Sequence, residues 1–462
     1  MTAYRLEPEL IGTELVVGDS AERRRDAIQI GRLAESGPLR NLWLDISGEQ
    51  VLAVLGKRGT GKSYTLGVVL EALAAGQGTT AIARLTTPRS ALMLDIMDIY
   101  WSTQISLSGA GSPEIAKQHE NMKRAGMKTQ PLNIDVWLPA GYENPQIDPP
   151  GVRTLTVSPS ELEIDDWAAL FDVDIFNEPR GMLIADCLDA TINGYSRTDG
   201  SLASGTQAFS FPDLLTCLDT SQDIATNYDP NTLRSIRQRF SSYAALALFM
   251  GPGTPLRQIL SPFKASVLML ARVPDALKNV IVATILRRLL RERRDASMAQ
   301  KRLDLDANIQ PAERTRLQTI VAQSVPRSWV LMDEAHILAG TDSSVSKDAF
   351  VKFAKEGRNY GLSLALATQQ PSALDSRLMS QVEGMLVHQL TAPKDAAVAT
   401  QAMRSPLPTK IQVDGQETDL GALLRRLGQG QAVFSSGNAP SLPRLCIASV
   451  RPRISAHGGY EA

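Results

Sequence analysis

The sequence predicts an α/β protein: a mainly parallel central sheet flanked by helices, with a helical insertion. Three observations lead there. A continuous apolar run of strand length, VLAVLG at 51–56, is followed by a Gly-rich loop and then by SYTLGVVLEALAAG, whose apolar spacing is helical. A second apolar run, SWVLMDEAH at 328–336, ends in two acids. Further short apolar runs alternate with helical patterns along the chain, the signature of a parallel sheet covered on both faces.

Composition narrows the class. The 462 residues exceed what one small core can use, and 43% hydrophobic with 21% charged residues is the balance of an ordinary folded protein. Cys187, Cys217 and Cys446 lie far apart with no CxxC pair, and only four histidines occur. A disulfide framework and a zinc module are therefore unsupported, and a reducing compartment is expected. The N-terminal stretch lacks the apolar core of a signal peptide, and no run approaches the roughly 18 apolar residues of a membrane span, so a cytoplasmic protein with no membrane partner is expected. A net charge of −1 excludes nucleic-acid binding through overall basicity but leaves a local basic surface open.

Taken in chain order, residues 1–45 form a short N-terminal segment, in which IQIGRLAES and NLWLDI have strand character. Residues 46–154 hold the first part of the core, with strands at 51–56, SALMLDI (90–96) and NIDVWLP (133–139). Residues 155–262 read as a helical insertion, from patterns such as ELEIDDWAALF, EPRGMLIADCLDATING and TLRSIRQRFSSYAAL. Residues 263–462 complete the core with ASVLMLA (265–271), the acid-ended run at 328–336, LSLALAT (362–368), GMLVHQL (384–390) and a C-terminal tail. The basic run Arg287, Arg288, Arg291, Arg293 and Arg294 has an amphipathic pattern and reads as the solvated face of a helix. Residues 292–327 read as a surface excursion or partner-binding arm. No internal repeat is present.

The loop after the first strand reads Gly56, Lys57, Arg58, Gly59, Thr60, Gly61, Lys62, Ser63, a full GxxxxGK[ST] between a strand and a helix. Phosphates need inward-pointing backbone N–H groups, and glycines permit the curvature and close approach. In this P-loop reading Lys62 reaches the β and γ phosphates of ATP and the Ser63 hydroxyl holds Mg2+, while the helix presents its positive end to the anion. Gly56, Gly59, Thr60, Gly61, Lys62, Ser63 and Tyr64 are the candidate nucleotide-binding residues. In the second run Asp333 is the candidate metal-holding acid and Glu334 the candidate activator of the attacking water. The alternatives are a Gly-rich turn of an unrelated protein and an ordinary core strand with an acidic end. His336 reads as a hydrogen-bonded structural residue. Gln369 and Gln370 follow LSLALAT at the strand end where such sheets meet ligands; Gln369 is a candidate γ-phosphate sensor, although a glutamine pair opening a loop fits as well.

GKRGTGKSYTLG, LMLDIMDIYW, WVLMDEAHILAG, FAKEGRNYGLSLALATQQPSALDSRLMSQ and RLCIASVRPRISAHGG, in this order, resemble the HerA-like branch of the HerA and FtsK superfamily. The resemblance runs from about residue 40 to the C-terminus, with the insertion its least specific part. It implies a RecA/FtsK-like P-loop NTPase fold, a homo-hexameric ring with ATP between neighbours, double-stranded DNA in a central channel, and a nuclease or other effector as partner. It also implies that Arg358 is an arginine finger acting on the adjacent subunit's ATP; from the residues alone Arg358 reads rather as a surface arginine or helix C-terminal cap ahead of Gly361. Asp95 resembles the acid ending the family's second core strand, but LDIMDIYW lacks the usual small-residue turn. Two further departures stand out. Too few residues precede the P-loop strand for the family's N-terminal β-barrel, so IQIGRLAES and NLWLDI would be a remnant of it. His388 and Gln389 occupy the place of a basic residue after the last core strand. The expectation is an ATP-driven DNA translocase, the motor of a nuclease or effector complex in DNA end processing or anti-phage defence. A ring scaffold for an effector and a conjugation-type pump are the alternatives.

Overall fold

The computed structural model describes residues 14–17, 26–34, 40–109, 111–342, 344–403, 411–413, 416–436 and 445–459. Eight strands form its parallel heart, in the spatial order Gly384–Val387, Val51–Leu55, Leu362–Thr368, Arg327–Met332, Arg89–Asp95, Lys264–Met269, Ile134–Pro139 and Arg153–Leu155. Every neighbouring pair is parallel. Each apolar run of the sequence becomes one of these strands, because a strand buried on both faces has no solvated side to fill with polar residues. Side chains alternate between two cores with the strand period of two. Val51, Ala53 and Leu55 face one, together with Leu92, Leu94, Val330, Met332, Leu364 and Leu366. Leu52, Val54, Ala91, Met93, Trp329, Leu331, Ala365 and Ala367 face the other.

The second core is closed by helix Lys62–Leu73, which buries Leu66, Val69, Leu70 and Leu73. The first is closed by helix Asp275–Leu305 and by the helices of the 155–262 region: Ile164–Phe171, Pro179–Asn193, Phe211–Thr220, Gln222–Asn227 and Pro230–Ala244. Those helices gather around an aromatic cluster of Trp167, Phe171, Phe211, Phe240 and Tyr243.

The basic run corrects one expectation. Arg287 forks onto the Asp166 carboxylate at 2.5 and 2.8 Å, and Arg288 binds Glu161 and the Thr254 carbonyl, both at 3.0 Å. Arg293 donates to the Tyr360 and Val325 carbonyls, each at 2.9 Å. Only Arg291 and Arg294 are exposed, so most of the run pins the helix to its neighbours instead of facing water. A guanidinium on a long stem reaches acceptors that an amphipathic pattern does not reveal. Residues 292–327 continue this helix to Leu305 and return as helix Pro311–Gln323, with Ala299, Ile309 and Leu317 between the two.

Beyond Gly384–Val387 the sheet turns antiparallel, through Gln431–Ser436, Leu445–Val450, Ala27–Leu33 and Asn41–Asp45. The strands within IQIGRLAES and NLWLDI are thus hydrogen-bonded into the main sheet. No helix among the described residues is long and apolar enough to cross a membrane. The three cysteines are buried and form no disulfide.

Candidate functional site

The carboxyl ends of the P-loop strand and its neighbours carry the candidate residues. From Leu55 the chain enters the loop and turns into helix Lys62–Leu73 at Gly61, whose φ of 114° suits glycine. Gly56 is required by closeness: a Cβ there would lie 2.7 Å from His388 Cβ and from Thr60 Oγ1. The helix has no side-chain cap and no acid in its first turn, which leaves its N-terminal N–H groups to an anion. Thr60 donates to the Lys57 carbonyl at 2.8 Å, and the Lys62 ammonium reaches the same carbonyl at 3.3 Å. Lys62 is buried, and burial lowers its pKa, while Glu334 and then Asp333 act in the opposite sense.

Asp333 and Glu334 follow strand Arg327–Met332 and are both buried. Asp333 Oδ1 accepts the Glu334 N–H at 2.8 Å, and Oδ2 lies 2.8 Å from the Tyr100 hydroxyl. Glu334 holds a left-handed backbone, φ 47°, an uncommon conformation for this residue type. Its Oε1 accepts from the Gln369 amide; its Oε2 is buried and accepts no hydrogen bond among the described residues. His336 Nδ1 stands 3.5 Å from that Oε2 and 3.2 Å from Thr368 Oγ1. Gln370 is exposed, and its N–H donates to Thr368 Oγ1 at 3.0 Å.

The structure brings Gly56, Thr60, Gly61, Lys62, Ser63, Asp333, Glu334 and Gln369 together. Of two further expected residues, Tyr64 stands at the cradle by its backbone alone and Arg358 lies elsewhere. The Tyr64 side chain turns to the C-terminal tail: its hydroxyl accepts the Arg453 N–H at 2.6 Å and its ring meets His457 edge-on at 5.3 Å. Arg358 lies on the turn Gly357–Tyr360, ahead of strand Leu362–Thr368, and therefore a strand length from Gln369, roughly 20 Å. It is half exposed and paired with Glu383, in a 260 Å³ cleft shared with Gln50, Lys355 and Gln381.

Two residues that the motifs do not single out complete the site. His388 is fully buried behind the loop, with Nδ1 2.8 Å from the Gln431 carbonyl and Nε2 2.9 Å from Thr65 Oγ1. A carbonyl only accepts, so Nδ1 carries the proton and Thr65 donates to Nε2. Burial, with Lys62 nearby, lowers the His388 pKa to about 4, so a neutral ring stands where a basic residue was expected. Tyr100 is the second: nothing in LMLDIMDIYW marks its hydroxyl, which also lies 3.1 Å from the Ser63 carbonyl. Asp95 does not enter the cradle; it accepts the N–H groups of Tyr100 at 2.7 Å and Met97 at 3.1 Å, and burial raises its pKa to about 7.

The donor set suits a magnesium-bound nucleoside triphosphate. The uncapped helix end, the glycine approach and the buried ammonium suit phosphate, the buried Asp333 carboxylate suits a hard cation, and the Glu334 oxygen that accepts no hydrogen bond among the described residues suits a water.

Comparison with known proteins agrees. The sequence profile of the family described as Helicase HerA, central domain, matches residues 28–289, more than half of the chain. The DNA double-strand break repair helicase HerA of Pyrococcus furiosus is 25% identical over 193 residues, 40% of this chain and 33% of that protein. Its namesake from Sulfolobus acidocaldarius is 25% identical over 183 residues, 39% and 31% of the two chains. The matching region thus spans about a third of these relatives. Among solved structures, VirB4 of Thermoanaerobacter pseudethanolicus superimposes with a TM-score of 0.51 at 14% identity, over 94% of this chain and 98% of that one.

Proposed function

The chain belongs to the HerA helicase central-domain family, and from that premise we propose that it hydrolyses ATP with Mg2+ to drive movement along double-stranded DNA. In this reading it works as a homo-hexameric ring with DNA in its channel, the motor of a nuclease or effector complex in DNA end processing or phage defence. One observation carries the proposal: the buried carboxylates Asp333 and Glu334 stand at the same sheet edge as an uncapped glycine cradle containing Lys62 and Ser63.

Gly56, Gly59, Thr60, Gly61, Lys62 and Ser63 bind the phosphates, with the Tyr64 N–H in the helix's first turn. Ser63 and Asp333 would hold the Mg2+, which supplies charge neutralisation at the phosphates. Glu334 orients the attacking water with its unpartnered Oε2, and Gln369 holds the other oxygen. Lys62 concentrates positive charge where the phosphoryl group moves. Arg358, on the far edge of the sheet, cannot serve its own cradle and acts as a finger on the neighbour's ATP, leaving Glu383 to do so.

Charge distribution supports DNA as the track. Residues 155–262 carry 14 Asp and Glu against 6 Arg and no Lys; the rest of the chain holds 42 Lys and Arg against 35 Asp and Glu. The near-zero total thus conceals a basic body and an acidic lobe.

The test is steady-state ATP hydrolysis with and without linear duplex DNA. Lys62→Ala and Arg358→Ala should each abolish DNA-stimulated turnover, and Glu334→Gln should bind ATP and assemble yet fail to move DNA. Full biological activity of Glu334→Gln would sink the motor reading, and turnover indifferent to DNA would favour a ring scaffold.

A further inference from the structure

We propose that Tyr100 is the positioning residue for the two magnesium ligands, its hydroxyl setting the distance and orientation of Asp333 against Ser63. This rests on the reading of Ser63 and Asp333 as the residues that hold the ion. Ser63 comes from the P-loop helix and Asp333 from the end of a strand two positions away from the P-loop strand, so the sheet backbone links them only through the strand between, Leu362–Thr368. The hydroxyl is the tie: its single proton goes to Asp333 Oδ2 at 2.8 Å and is shared with the Ser63 carbonyl at 3.1 Å, on a fully buried side chain. With Oδ1 engaged by the Glu334 N–H and Oδ2 by Tyr100, the carboxylate has a single orientation.

The tyrosine is itself held from two sides. Asp95, ending the neighbouring strand, fixes its N–H, and Asp98 turns the intervening loop with a left-handed φ of 53°. That residue does the work of the small-residue turn missing from LDIMDIYW. From the other side the C-terminal tail grips the short helix Tyr100–Gln104. Arg453 donates to Thr103 Oγ1 at 2.6 Å, and Ser102 Oγ accepts the Gly458 N–H at 3.0 Å while its proton lies between the Ile99 carbonyl at 2.7 Å and the Ala456 carbonyl at 3.0 Å. A hydroxyl that needed only a partner could have used one backbone carbonyl. This one is placed between two elements by two others, the strand ending at Asp95 and the C-terminal tail, the arrangement by which outer residues orient metal ligands.

Tyr100→Phe keeps the ring and removes the hydroxyl. Affinity for a fluorescent ATP analogue should be measured with chelator and with Mg2+. The expected result is unchanged metal-free affinity, an about 10-fold smaller gain on adding Mg2+, and a half-saturating Mg2+ for hydrolysis raised about 10-fold. An undiminished Mg2+ gain overturns the proposal, and so does an equal loss with and without the metal, which would mean that Tyr100 merely supports the loop. No Mg2+ gain in the unaltered protein would instead overturn the reading of Ser63 and Asp333, and the proposal with it. If the variant does not fold, 3-fluorotyrosine at position 100 gives a second readout: its ¹⁹F resonance should shift when Mg2+ is added to the nucleotide complex, and an unshifted resonance overturns the proposal.

Discussion

Gly56 shows how narrowly single residues define the phosphate cradle. Its φ is ordinary; what demands glycine is the 2.7 Å approach of the His388 Cβ, on a residue just past strand Gly384–Val387 whose N–H is bonded to the Leu55 carbonyl at 2.7 Å. Gly56→Ala should push the loop off His388 and Thr60, lowering nucleotide affinity and costing about 1–3 kcal/mol of stability, readable by titration calorimetry and urea unfolding. An unaltered affinity would show that the loop yields elsewhere. The glycine pattern was legible in the sequence, whereas its reason was not, because His388 is more than 300 residues away. The same holds for Tyr100, which joins Ser63 to Asp333 without a motif of its own.

Among the elements, the C-terminal tail contributes most that was unforeseen. Glu71, on the P-loop helix, is fully buried and accepts from Arg451 Nη1 at 2.8 Å, Arg453 Nε at 3.2 Å, and the N–H groups of Ile454 and Ser455 at 3.0 and 2.9 Å. Gly67 leaves room for the Arg453 guanidinium to lie across the helix. Glu71→Gln would strand two buried guanidinium groups, and should destabilise the protein by about 3–5 kcal/mol. Denaturant midpoints check this, and a loss under about 1 kcal/mol would mean that water can reach the arginines. The tail was recognisable as a strand of sequence belonging with the rest, but its partner on the P-loop helix is a tertiary fact.

For the molecule as a whole, two buried groups and one half-buried one make stability depend on pH in a definite sense. Burial lowers the pKa of His388 to about 4 and, with Arg453 adding to it, that of His457 to about 3, from 6.5. Both imidazoles stay neutral in the folded protein below the pH at which the unfolded chain takes up protons. Their contribution is complete above about pH 6.5 and is lost as pH falls. Asp95, raised from 3.8 to about 7, acts in reverse: the folded state keeps a proton that the unfolded chain releases, a contribution lost as pH rises through 7. Between about pH 6.5 and 4 two imidazoles oppose one carboxyl, so these groups should together cost about 1.4 kcal/mol per pH unit of acidification. Removing one imidazole by His457→Asn should flatten that slope in melts across the range, and an unchanged slope would show that other groups set it.

The sequence by itself determined the parallel heart of the sheet and which candidate side chains stand at its carboxyl end. A strand buried on both faces must be apolar throughout, and a phosphate loop must carry glycine, lysine and a hydroxyl in fixed local order. The acids Asp333 and Glu334 and the amide Gln369 were legible for the same reason, since each follows directly on such a strand. Only the tertiary structure decided what lies behind and around them: that Arg287, Arg288 and Arg293 are tethers, that the tail grips the P-loop helix, that His388 backs the glycines, and that Arg358 faces away from its own site. Each of these rests on contacts between segments distant in the chain, and hydrogen-bonding side chains carry no periodicity by which a single sequence could announce their partners.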